Sequence, residues 1–272
     1  MLIIYLAILL ILSCQRSKEE FKKERLSLNY NCDSSFLDGV YYRGRFFILT
    51  LECGIFEYDK SLKKNKIYNL FGKFSISGDS LFLISKNGIY TYKNQDFFQL
   101  EKMEGLIGYA GGFYLSEKGI FKNFDTIEIL EIEDYKFYNN ELIIGTNGYG
   151  LYIIRDSKVM HFVLGSLPSN FVKSISIYKD TLVIGFSEPF SKSKIGFFYK
   201  DRAIKVFEFS EDYITHIYSD SFLFVGTSSG LFKYENGQFY KILDGYILKI
   251  LHFENNELFL ILNGKIKKLN IF

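Results

Sequence analysis

A three-residue motif, glycine followed by an apolar and then an aromatic residue, returns along this chain at near-regular intervals. It stands at Gly54-Ile55-Phe56, Gly88-Ile89-Tyr90, Gly119-Ile120-Phe121, Gly150-Leu151-Tyr152, Gly196-Phe197-Phe198 and Gly230-Leu231-Phe232, with Gly264-Lys265-Ile266 a degenerate seventh copy. Successive copies lie 34, 31, 31, 46, 34 and 34 residues apart. The long fourth interval holds the Ser- and Pro-bearing stretch 187–194, which reads as an insertion in one hairpin loop. A period of this size means that one supersecondary unit is repeated and stacked.

Each unit reads as four short strands. In residues 73–103, an apolar strand ends at a Gly-Asp turn, 81–84 form a second, and Asn87-Gly88 supply a hairpin signal. Residues 89–92 form a third strand, and 97–100 a fourth. Residues 212–243 repeat the scheme. The chain holds 29 Phe and 21 Tyr, no Trp and only 2 Pro, a make-up that favours strands over helices and linkers. Helical repeats would show apolar spacings of three and four, which are missing, and leucine-rich repeats are shorter. Four strands per repeat is a propeller blade. The last repeat, 246–272, has three strands, while 25–32 alternates like one strand too many. Placing 25–32 outermost in the last blade completes it and removes an edge. The expectation is an all-β protein, a seven-bladed β-propeller over 25–272, closed by pairing of its N-terminal strand with the last blade.

Two copies carry a longer match. Gly145-Thr146-Asn147-Gly148-Tyr149-Gly150-Leu151-Tyr152 and Gly226-Thr227-Ser228-Ser229-Gly230-Leu231-Phe232 follow Ile144 and Val225. They resemble the core of the two-component-regulator propeller repeat, although that family's frequent Trp in the second strand is replaced by residues such as Ile143 and Phe224. The resemblance implies a propeller of the kind that forms the periplasmic sensor half of membrane kinases. Because the sequence ends just past the last repeat, a signalling role is expected to run through a partner.

Residues 2–12 are an unbroken apolar run, too short as a helix to cross a hydrocarbon core of about 30 Å. Such a run at an N-terminus fits a signal-peptide core. The following Ile11-Leu12-Ser13-Cys14 resembles the lipobox of bacterial lipoproteins, though no Lys or Arg precedes the run and Leu12 is large for its place. The resemblance implies a signal peptide at 1–13, lipidation of Cys14 and a membrane partner, with each buried CH2 contributing about 0.8 kcal/mol. A plain secretory signal or an uncleaved anchor is the alternative. The mixed-charge stretch 14–24 then reads as a solvated tether. Gln15 in place of Asp favours the outer membrane over the inner membrane, and Ser17-Lys18-Glu19-Glu20 resembles the tags of some surface-exposed lipoproteins, so the expected address is the cell envelope. Removing Cys14 leaves Cys32 and Cys53, either a disulfide or two buried thiols; their spacing suggests no zinc.

The formal charge is +2, from 33 basic and 31 acidic residues spread along the chain, which argues against nucleic-acid binding. Motifs for a nucleophile, a P-loop or a zinc protease are missing, and no cofactor is implied. His161 falls in an outer strand. His216 and His252 fall in innermost strands, in places similar to Lys136 and Ser176, and form a candidate channel site; no acid stands in the matching column, so a metal is not expected. Glu131, Glu133 and Asp134 read as solvated turn charge. Tyr42, Tyr109, Tyr138, Tyr178 and Tyr218 lie near the ends of innermost strands, as packing residues or as an aromatic mouth. The 187–194 stretch, with Glu188, Pro189, Phe190, Lys192 and Lys194, is the candidate contact loop. These features favour a monomeric, non-catalytic binding or scaffold lipoprotein with a protein or glycan partner. The alternative is a small-molecule sensor or hydrolase using the channel.

Overall fold

The computed structural model describes residues 35–271, apart from 118, 123–124, 157, 200–201 and 210–212. The expected leader, Cys14, the tether and the closing strand 25–32 lie outside the described residues. Among the described residues every regular element is a strand, and the strands form seven antiparallel sheets in chain order. The chain is a seven-bladed β-propeller. Blades 1 to 7 span residues 36–68, 73–101, 106–127, 132–162, 172–208, 214–244 and 247–270. Blades 1 to 6 have four described strands and blade 7 has three.

Each sheet buries both faces against its neighbours, so the core is divided among the junctions. Seven apolar clusters result, one per junction. At the last junction Phe46 and Ile48 of blade 1 pack on Leu251, Phe259 and Ile261 of blade 7, so the first and last blades meet.

At Gly54, Gly88, Gly119 and Gly150 the repeated glycine has a positive φ and a backbone cause. At Gly150, φ is +86°, and a Cβ there would lie 2.1 Å from the carbonyl oxygen of Phe162 in the outer strand. Only glycine allows both that conformation and that approach. The glycine of the Gly-Thr pair has a different cause. A Cβ on Gly145 would lie 2.2 Å from Val172 Cγ1 of the next blade, so its absence lets two sheets close. The threonine then caps the following turn, its Oγ1 donating to Gly150 O at 2.8 Å, as Thr227 does to Gly230 O at 3.0 Å.

The long fourth interval is divided between two loops. One is 187–193, between the second and third strands of blade 5; the other is 163–171, connecting blades 4 and 5. Glycine spacing alone cannot separate them, because both loops fall between the same two glycines, so the excess expected wholly in 187–194 is shared.

Candidate functional site

The inner strands line the channel, and their pairing sets which side chains share a level. Opposite the penultimate residue of each second strand stand Asp38, Lys73, Gly108, Asp134, Ser174, His216 and Lys249. This row crosses from blade to blade through hydrogen bonds. Asp134 Oδ2 accepts from Ile175 N at 2.7 Å, Ser174 Oγ from Ile217 N at 3.0 Å, and His216 Nδ1 from Ile250 N at 3.3 Å. Each donor lies one residue past the next blade's member of the row. Lys249 then pairs with Asp38, joining blade 7 to blade 1.

This row corrects two expectations. Asp134 is a strand residue, not solvated turn charge. A bulge between Ile132 and Asp134 sets it in the row, where burial raises its carboxyl above the usual carboxylate range, although Lys73 and Lys249 lower it. Glu133 faces Lys173 at 2.7 Å instead. The second correction concerns the histidines. Lys136, Ser176 and His252 do share a level, three residues before the end of the second strand, but His216 does not. Tyr218 takes its place. Blade 6 turns through Asp220, Ser221 and Phe222, where blades 4 and 5 use two residues, and this moves His216 to the row of Asp134. A second bulge, between Ile250 and His252, brings His252 into line with Lys136.

The environments of the two imidazoles follow from these levels. Burial, and then the charges of Lys249 and Lys136, hold His216 well below the usual histidine range. It is a neutral acceptor. His252 stacks on Tyr41 at 3.7 Å with its Nε2 3.6 Å from Glu254, and Lys60 lies over the same tyrosine ring. Burial lowers its pKa despite the carboxylate. Ser176 Oγ lies 2.6 Å from Ser219 Oγ, which also hydrogen-bonds Ile177 O. His161, on an outer strand, stacks on Tyr152 at 4.0 Å. Among the described residues no group of three or more His, Cys, Asp or Glu is placed to hold a metal ion.

The tyrosine column divides in the same way. Tyr42, Tyr138 and Tyr178 occupy one level. Tyr218 lies deeper, and so does Tyr109, because blade 3 turns early at Gly111-Gly112. Tyr42 donates to Asp79 O at 2.6 Å and Tyr138 to Asp180 Oδ1 at 2.7 Å, each reaching the next blade's turn. Tyr218 Oη accepts from Phe253 N at 3.2 Å. Tyr178 meets Tyr234 edge-on, and Tyr109 packs on Phe82.

The two ends of the propeller differ. One carries the turns between first and second and between third and fourth strands; the other carries the remaining turns and the blade-to-blade connections. Only the second end has exposed large apolar side chains in its described loops. Leu51, Tyr149 and Phe190 stand in turns, while Phe71, Leu130, Leu164, Tyr213 and Tyr246 stand in connections. The contact loop lies here. Its base is closed by Ser187 Oγ and Ser193 Oγ at 2.7 Å, Lys194 reaches back to Pro168 O, and Lys192 faces Glu208 at 3.8 Å. Glu188 meets Ser169 Oγ at 3.4 Å.

Glu57 gave no sequence signal, and Cys53 takes one of the two states that the cysteine count leaves open. Glu57, 2% exposed at its side chain, pairs with Arg45 and accepts from Tyr68 and Tyr92 across the blade 1–2 junction. Cys53 is disulfide-bonded to a residue outside the described set.

No protein-family model and no curated protein matches the chain. Solved structures show the same fold. The extracellular domain of a putative one component system from B. thetaiotaomicron superposes with a TM-score of 0.65 at 15% identity, over 88% of this chain and 38% of that one. The WD40 beta propeller domain of Doa1 gives 0.64 at 12% identity, over 87% and 92%. The computationally designed Ika8 protein gives 0.59 at 12% identity, over 89% and 85%. The chain therefore spans well under half the length of the bacterial extracellular domain it matches.

Proposed function

We propose that this chain is a non-catalytic binding or scaffold module of the bacterial cell envelope, anchored by lipid at Cys14, that presents a propeller surface to a partner. One observation carries the reading: the polar row of the channel is engaged in joining blades. Asp134, Ser174 and His216 each accept a backbone N–H from the next blade, and Lys249 pairs with Asp38. A catalytic acid or base needs a free proton site facing substrate, whereas these groups face their neighbours. Recognition then falls to the loop-bearing ends. The disulfide at Cys53 suits an oxidising compartment. Occurrence of the same fold in the extracellular domain of a putative one component system and in a WD40 domain supports a propeller used for association.

The test has two arms. Envelope extract is passed over the immobilised full chain, its variant lacking residues 188–192, and the double variant His216→Ala, His252→Ala. Specific retention that depends on the loop and ignores the histidines is expected. Turnover or metal-dependent thermal stabilisation that disappears only in the histidine variant would overturn the reading in favour of a channel site. For the anchor, Cys14→Ala is expected to leave the membrane fraction.

A further inference from the structure

The apolar end has a protruding feature that its packing does not explain. Phe190 is 110% exposed and has φ +61°. It is the third residue of the turn Glu188-Pro189-Phe190-Ser191, closed by Ser191 N donating to Glu188 O at 3.3 Å. Proline second with positive φ third is the arrangement of a type II turn, whose third place ordinarily takes glycine or asparagine. A bulky residue there carries backbone strain of order 1 kcal/mol. Here neither strain nor exposure is offset by burial within the chain. Leu164, 68% exposed, stands on the adjoining connection, and the contacts of Lys194 with Pro168 and of Glu188 with Ser169 tie the two loops together. The two apolar side chains thus project from a braced base.

The charge around them has one sign in excess. The described loops of this end carry Glu52, Glu104, Glu117, Glu128, Glu131 and Glu188, all exposed, against Lys86, Lys102 and Lys192. At the other end Arg43, Lys60, Lys63 and Lys179 balance Asp79, Asp156, Asp180 and Asp220. An apolar surface in an acidic frame repels anionic lipid and a second copy of itself, and it attracts an apolar segment flanked by lysine or arginine.

We infer that the apolar end, with Phe190 and Leu164 at its most prominent point, is a docking surface for a partner protein segment carrying aromatic or aliphatic anchors among basic residues. This inference rests on the binding-module reading and names its face and its partner chemistry. Phe190 is the anchor that the partner covers, as buried aromatics dominate such interfaces.

The test pans a phage-displayed library of random dodecamer peptides against the full chain and measures the enriched peptides by interferometry. Enriched sequences should combine Lys or Arg with Phe, Tyr, Leu or Ile. Binding should fall by roughly tenfold or more, about 1.4 kcal/mol, in Phe190→Ser and further with Leu164→Ser. It should weaken in Glu188→Lys and stay unchanged in Lys179→Ser at the other end. Phe190→Gly, which relieves the turn, should bind as poorly as Phe190→Ser; recovery would show that loop shape alone matters and overturn the anchor role. Enrichment of acidic peptides, indifference to Phe190, binding to phosphatidylglycerol vesicles, or a dimer dispersed by Phe190→Ser would each overturn the proposal. If envelope extract yields a partner that ignores Phe190, the binding-module reading stands and only this inference falls.

Discussion

The junction between blades 1 and 2 and the junction between blades 3 and 4 solve one packing problem with different means. At the first, a buried carboxylate organises the contact. Glu57 is held by Arg45, Tyr68 and Tyr92, and rings from both blades pack around it, Phe47 on Tyr92 at 4.7 Å and Tyr68 on Phe97 at 5.0 Å. Burial, and then Glu57, push the Tyr68 and Tyr92 hydroxyls upward. At the second junction, rings lie over glycines. Cβ atoms on Gly108 and Gly111 would meet the rings of Tyr135 and Phe137 at 2.6 and 2.3 Å. Blade 3 is short, its inner hairpin turning early, and an open cleft of about 800 Å3 remains beside Phe113, Phe137 and Ile154. The Tyr135 hydroxyl is buried at this junction beside Ser75 and the Tyr109 carbonyl, without a hydrogen bond of normal geometry among the described residues. The first junction is specified by charge and hydroxyls; the second is specified by shape.

The largest effect that separates them should come from Glu57→Ala. Removing the carboxylate leaves Arg45 and two hydroxyls without their acceptor, and a loss of about 3–5 kcal/mol in urea unfolding is expected. A loss under about 1 kcal/mol would mean that the cluster is solvated and the contrast is false. Next comes Gly108→Ala, which drives a methyl into the Tyr135 ring and should cost about 1–3 kcal/mol. If shape is the cause, Tyr135→Ala should restore much of that loss in the double variant, and additive losses would refute it. Tyr42→Phe removes the hydroxyl bonded to Asp79 O and should cost about 0.5–1.5 kcal/mol at the first junction. Tyr135→Phe, which removes an unpartnered hydroxyl at the second, should be neutral or stabilising by less than about 1 kcal/mol. Equal losses in these two variants would erase the distinction.

A pH series probes a third kind of junction, between blades 6 and 7, where His216 accepts from Ile250 N. Its pKa is lower in the folded chain than in the unfolded one, so the unfolded state binds the proton first. The stability contributed by neutral His216 is present above about pH 6.5 and is lost as pH falls from there toward its folded pKa. Asp134 acts in the opposite sense. Its raised folded pKa makes the burial cost appear as pH rises, and protonation relieves it. The His216 contribution should lower urea midpoints between pH 7 and pH 5 while Asp134 offsets part of the change, and His216→Asn should make the midpoint fall less, or rise, over that range. The same pH slope in wild type and His216→Asn would sink this assignment.

The blade plan was legible because its cause is local: the glycine spacing and the turn dipeptides are read one hairpin at a time. The levels of the channel residues were not. They depend on bulges at Asp134 and His252 and on one three-residue turn in blade 6, each of which moves a side chain by a step that hydropathy does not mark. Asp134 looked like turn charge because it follows Glu131 and Glu133, and nothing in its neighbours reveals the N–H of Ile175 waiting 41 residues away. Glu57 was invisible for a similar reason: in sequence it is one acid between Phe56 and Tyr58, and its partners are spread over three strands. Phe190 was legible as part of an irregular loop, but its exposure and positive φ were not.

The repeated glycine, at Gly54, Gly88, Gly119 and Gly150, abuts outer-strand and adjoining backbone, not side chains. Its tolerance to substitution is thus uncoupled from whatever the ends of the propeller bind. Such positions behave like the graduations of a ruler: they hold the spacing of the blades while the loops between them are free to be rewritten. A lineage built on this plan can change partners by drift in its loops without renegotiating the fold.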